Sequence, residues 1–156
     1  MSIKMMLKGH ELFASLNVDE INQLSTFSSM KEYRANETIF THNQVSTHFY
    51  MLMEGLVYLQ LPAKPPEFSF TISKVETGEL FGISPLLKSE RYTSTARCCK
   101  NTKVLSVEAK PFGDLLSLNG RAGLDILNQV ANIYFSRYLD LIRRFQDVVS
   151  QITLIS

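Results

Sequence analysis

The sequence predicts an α+β chain that is mainly β: a jelly-roll barrel (double-stranded β-helix) with short N-terminal helices and one long C-terminal helix. Three observations predict it. Residues 30–107 are short runs rich in Val, Ile, Thr, Tyr and Phe, broken by turn residues, which is the texture of antiparallel strands. From Gly123 onward no Gly or Pro interrupts the chain for more than thirty residues, as a long helix requires. That segment also repeats its apolar residues at alternating steps of three and four, a heptad pattern. With 156 residues, 45% of them hydrophobic and 20% charged, the chain has the size and composition of one globular domain with a proper core.

In order along the chain, Leu12, Phe13, Leu16, Val18, Ile21 and Leu24 fall mostly at helical spacings and predict one or two short helices, with Asn17 or Asp19 as a cap. Roughly eight short strands fit into the region that follows. Phe68, Phe70 and Ile72 alternate with Ser69, Thr71 and Ser73, and Pro62, Pro65 and Pro66 mark the hairpin connection before them. In the long helix Leu124, Leu127, Ala131, Tyr134, Tyr138, Leu141, Phe145, Val148 and Ile152 form the seam. A second apolar set, Ile126, Val130, Ile133, Leu139 and Ile142, is left to dock on the barrel. Asp140 with Arg144, and Arg143 with Asp147, are placed as opposite-charge pairs four apart. No second long helix exists in the chain to receive the seam, so Leu127, Ala131, Tyr134, Tyr138, Leu141, Phe145 and Val148 are the candidate interface of a parallel homodimer. The chain thus divides into a barrel with its N-terminal helices, residues 1–122, and a dimerisation helix, residues 123–156.

Composition excludes several classes of function. A net charge of +1 and the lack of a local basic element argue against nucleic-acid binding by this chain alone. No stretch reaches the roughly 20 apolar residues of a membrane span, and the Lys4 and Lys8 region lacks a signal-peptide apolar run; a cytoplasmic protein is expected. Cys98 and Cys99 are adjacent, which disfavours a disulfide between them, and two thiolates are too few for an iron–sulfur cluster. His10, His42 and His48 are the candidates for a haem or metal ligand, yet spacing places no second ligand beside any of them, so no metal or cofactor is required. No arrangement of nucleophile, base and orienting group is present, so the chain is not expected to be an enzyme.

The centre of the chain reads Thr77-Gly78-Glu79-Leu80-Phe81-Gly82, then Ile83-Ser84-Pro85-Leu86-Leu87, and after a short polar link Arg91-Tyr92-Thr93-Ser94-Thr95-Ala96-Arg97-Cys98. This resembles the phosphate-binding cassette of cyclic-nucleotide-binding domains, the effector domains of the catabolite activator protein and its nitrogen- and oxygen-sensing relatives (the Crp/Fnr type). Residues 11–16, 34–40 and 49–57 are similar to the family's first helix, first hairpin and central strands, so the resemblance covers about residues 11–150. Where the family has turn glycines this chain has Asn36 and Asn43, the next best residue at positive φ.

The resemblance implies a cyclic phosphate over the first turn of a short helix, with a glutamate accepting from the ribose hydroxyl and an arginine neutralising the phosphate. The helix start is kept, with Ser84 expected as N-cap and Pro85 at the first helical position, and Thr93 stands at the family's Ser/Thr position. The glutamate and arginine positions hold Ile83 and Tyr92. Arg91 is one residue away and is expected to point outward while Tyr92 points inward, because a slip of one residue along a strand changes the face. The candidate pocket is therefore Gly82, Ile83, Ser84, Pro85, Leu86, Arg91, Tyr92, Thr93 and Ser94, with Tyr134 and Tyr138 approaching it from the long helix. Cyclic AMP or cyclic GMP is expected to bind weakly or not at all, since a buried phosphate without its cation is costly. Three functions fit: a regulatory ligand sensor signalling through its dimerising helix to a protein partner, the effector domain of a Crp/Fnr-type transcription regulator whose helix-turn-helix is absent or truncated, and a dimeric scaffold with a plugged pocket.

Overall fold

The computed structural model describes residues 1–63 and 69–155, with side chains through Ile152. Among these residues eight antiparallel strands form two four-stranded sheets. The strands are β1 (Ser28–Tyr33), β2 (Thr38–Phe40), β3 (His48–Glu54), β4 (Val57–Pro62), β5 (Ser69–Val75), β6 (Leu80–Phe81), β7 (Thr95–Cys98) and β8 (Thr102–Glu108). One sheet runs β1-β8-β3-β6 and the other β2-β7-β4-β5. The helices are α1 (Ile3–Gly9), α2 (Val18–Thr26), α3 (Ala109–Ser117) and α4 (Gly120–Ile155). No helix among the described residues is long and apolar enough to cross a membrane.

The two sheets enclose one core and the helices build a second. In β3 the consecutive buried residues divide by strand alternation: Tyr50 and Leu52 enter the barrel, whereas Phe49 and Met51 face the helices. On the helix side Phe13, Ile21, Leu24, Phe112, Ile126 and Val130 cover that sheet. Strands β3, β6 and β8 of the first sheet are therefore buried on both faces, whereas its edge strand β1 has no fully buried residue.

Local chemistry sets the helix ends. Asn17, not Asp19, caps α2: its Oδ1 accepts from Glu20 N at 2.9 Å and Glu20 Oε1 accepts from Asn17 N at 3.0 Å, a reciprocal capping box. Asn119 Oδ1 accepts from Ala122 N at 3.2 Å, which starts α4 three residues before the expected Gly123. The same Asn119 donates to both Glu20 carboxylate oxygens and ties the start of α4 to α2. Two elements lie outside the sequence-based expectation: α1, which buries Leu7, and α3, which forms across Pro111 and Gly113 because Phe112 and Leu115 are buried against the barrel.

Asn36 and Asn43 have φ of 72° and 68°, the left-handed turns expected of them. β4 and β5 pair up to Pro62 opposite Ser69, with a bulge between Leu59 and Gln60. The bulge breaks the alternation of β5, and Phe70 is left 57% exposed. The expected Pro65-Pro66 connection and Phe68 lie outside the described residues.

Candidate ligand cleft between the barrel and the long helix

The cassette residues gather at one mouth of the barrel, and α4 crosses it. Gly82 adopts φ 63°, and a Cβ there would stand 2.8 Å from the Phe40 ring and 3.0 Å from that of Tyr50. Only bare backbone fits beside these rings. Ile83, 1% exposed, precedes a single 3-10 turn, Ser84–Leu87, closed by Lys88 in the left-handed conformation. Ser84 is not the N-cap expected of it: Ile83 occupies that position without a side-chain bond, Ser84 begins the turn, and its Oγ faces Arg91 O at 3.5 Å. Pro85 consequently stands second in the turn rather than first, and Leu86 packs half-buried on the helical core. One 3-10 turn aligns too few peptides to supply much of a dipole.

The expected alternation holds at Arg91 and Tyr92. Arg91 is exposed, and its Nη1 donates to Asn43 O at 2.7 Å on the outside of the barrel. Tyr92 is 2% exposed and crosses the interior. Its ring stacks on Phe40 with centroids 3.9 Å apart, and its hydroxyl donates to His48 O at 2.6 Å while accepting from His48 N at 3.2 Å. Phe40 also stacks on Tyr50 and Phe81, so the barrel mouth is filled by contiguous rings. Burial, then the adjacent Tyr92, holds the Tyr50 phenol protonated far above the usual tyrosine range. Thr93 is exposed and Ser94 buried.

What remains is a cleft of about 190 Å³ bounded by Phe40, Ile83, Ser84, Tyr92, Thr93 and Ser94 on the barrel side and by Tyr134, Arg137, Tyr138 and Leu141 on α4. It is smaller than the roughly 300–1,000 Å³ of ordinary ligand pockets. Arg137 is the residue that sequence reasoning missed. Its Nη2 donates to Leu80 O on β6, and burial lowers its pKa while the Glu79 carboxylate opposes the shift. A wider groove of about 670 Å³ shares Arg137 with this cleft and is lined by charged groups that include Glu79 and Asp140; the smaller cleft is the one the cassette builds.

Along α4, Leu124, Leu127, Ala131, Tyr138, Phe145, Val148 and Ile152 of the expected seam are exposed. Tyr134 and Leu141 are half-buried and line the cleft instead, while Phe135, outside the expected seam, is 59% exposed. Of the docking set, Ile126, Val130 and Ile133 pack on the helical core, whereas Leu139 and Ile142 are half-buried outside both cores. The expected i,i+4 pairs are also replaced. Arg143 pairs with Asp140 at 3.6 Å, and Arg144 donates to Thr71 O and Ile72 O on β5.

The histidines are dispersed. His10 Nδ1 accepts from Leu12 N at 3.1 Å, which leaves Nε2 to donate to Gly78 O at 2.8 Å. His42 lies in the loop after β2, and His48 begins β3. Among the described residues no group of three potential ligands could hold a metal ion. Cys98 and Cys99 are free thiols whose pKa burial raises.

Residues 30–119 match the family described as the cyclic nucleotide-binding domain. The chain belongs to that family, as the cassette residues had implied. Among solved structures it is similar to a candidate cyclic nucleotide-binding protein from Geobacter metallireducens, with 27% identity, TM-score 0.76, and coverage of 88% of this chain and 99% of that one. The sensor domain of the transcriptional regulator DNR from Pseudomonas aeruginosa shares the fold at 17% identity and TM-score 0.73, covering 83% of this chain and 91% of that one. The catabolite activator protein of Thermus thermophilus shares it at 20% identity and TM-score 0.67, covering 89% and 62%. No curated protein matches the chain in sequence.

Proposed function

We propose that this chain is a non-catalytic regulatory sensor module that does not read cyclic nucleotides and that signals through α4 as a parallel homodimer in the cytoplasm. The observation that carries the reading is the seat of Tyr92. At the position where the family's resemblance calls for a phosphate-binding arginine, a tyrosine ring fills the barrel mouth and is bonded at its hydroxyl to His48. Ile83 removes the ribose acceptor, and Arg91 is tied to Asn43 O outside. The regulators among its structural relatives, DNR and the catabolite activator protein, support a regulatory role. If the chain serves a Crp/Fnr-type transcription regulator, the same module is its effector part. The scaffold reading draws on the same tyrosine. In favour of a sensor is the cleft still open beside Tyr92, with residues of α4 forming one of its walls.

Calorimetric titration with cyclic AMP and cyclic GMP tests the reading. Each lost charge-assisted contact weakens binding by roughly 1.5–3 kcal/mol, and two such losses put the expected dissociation constant above about 1 mM. A micromolar constant that disappears in Arg91→Ala would overturn it, by showing that Arg91 swings inward to hold the phosphate.

A further inference from the structure

The cleft under α4 is lined by a cation that no carboxylate neutralises at contact distance. Arg137 is half-buried and forms no ion pair among the described residues. Its hydrogen bond there is the one from Nη2 to Leu80 O, although a guanidinium carries five N–H donors. Glu79 acts on it only through space. A charge drawn partly out of water without an ionic partner is costly, and Arg137 borders both the wider groove that holds Glu79 and Leu80 and the cleft whose other walls are mainly apolar rings and aliphatic chains, Phe40, Ile83, Tyr92 and Leu141, with Ser84 and Ser94 among them.

We propose that this cleft binds a small organic carboxylate with a single ring or a branched apolar body, its charge held by Arg137 of α4 and not by the cassette. The proposal rests on the sensor reading above and names the ligand class of that site. One guanidinium edge matches the two oxygens of a carboxylate, whereas a phosphate would leave oxygens against apolar walls. A volume of about 190 Å³ suits one ring and excludes a nucleotide. Because the charge contact is made by the helix, ligand binding acts on α4 directly, at the point where Arg137 is fastened to β6.

The test is calorimetric titration of the full chain with benzoate, phenylacetate and isovalerate, using benzamide as a neutral isostere and inorganic phosphate as a compact anion. Wild type should saturate with at least one of the three carboxylates, while benzamide and phosphate bind at least about tenfold more weakly. Arg137→Gln should raise the dissociation constant about tenfold or more. Leu141→Trp, which leaves Arg137 in place and fills the cleft from α4, should abolish binding, and it keeps the test open should Arg137→Gln fail to fold. The proposal is overturned if none of the carboxylates saturates wild type, if Leu141→Trp binds them as wild type does, or if phosphate displaces them. Tight cyclic AMP binding would instead overturn the sensor reading, and that titration is independent of these.

Discussion

The two halves of α4 have similar apolar content and different surroundings. In the first half Ala122, Ile126 and Val130 are at most 1% exposed and lock the helix onto the barrel. In the second, every described residue from Arg143 to Ile152 is exposed, including Phe145 at 70% and Ile152 at 61%. Arg137 and Arg144 mark the transition, fastening the helix to backbone carbonyls of β6 and β5. Burial by this chain therefore explains one half of the helix and leaves the other unexplained. Exposed apolar residues at heptad spacing are what a second helix would cover, which is why the proposed output of the module is placed there.

The comparison can be broken most forcefully in the docked half. Ile126→Ala removes a fully enclosed side chain, and the expected loss is about 2–5 kcal/mol, read as a drop in urea midpoint relative to wild type that is the same at every protein concentration. A loss that shrinks as the protein is concentrated would mean that Ile126 also depends on a partner.

A smaller effect is expected at the transition. Arg144→Ala deletes the hydrogen bonds to Thr71 O and Ile72 O, and since its side chain is exposed the cost should be about 0.5–1.5 kcal/mol. Native-state hydrogen exchange should locate the loosening in β5 and the adjacent turn of α4. Exchange that quickens equally across the barrel would show that Arg144 supports the whole fold and not this joint.

Much of the architecture was legible because it follows from local chemistry. Turn asparagines at 36 and 43, the β texture of residues 30–107 and the inward Tyr92 against the outward Arg91 each depend on nearest neighbours along the chain. The less legible features depend on tertiary placement. α3 contains Pro111 and Gly113, poor helix formers that the burial of Phe112 and Leu115 overrides. Ser84 looked like a cap, but the chain enters the 3-10 turn one residue earlier. Arg137 sits between Tyr134 and Tyr138 and reads as a flank of the seam until the rotation of the helix is known. That rotation also puts Tyr134, which the sequence offered both to the seam and to the pocket, on the cleft and turns Phe135 to the exposed face, since a straight helix drifts about 20° per heptad from a strict seven-residue repeat.

Sedimentation equilibrium of wild type and Phe145→Asp most directly tests whether the second half of α4 has a second copy as its partner. Phe145 is exposed and belongs to neither core, so the substitution should leave the barrel folded by circular dichroism. The account predicts a dimer for wild type at micromolar concentration and a folded monomer for Phe145→Asp. A wild type that sediments as a monomer at that concentration would contradict it.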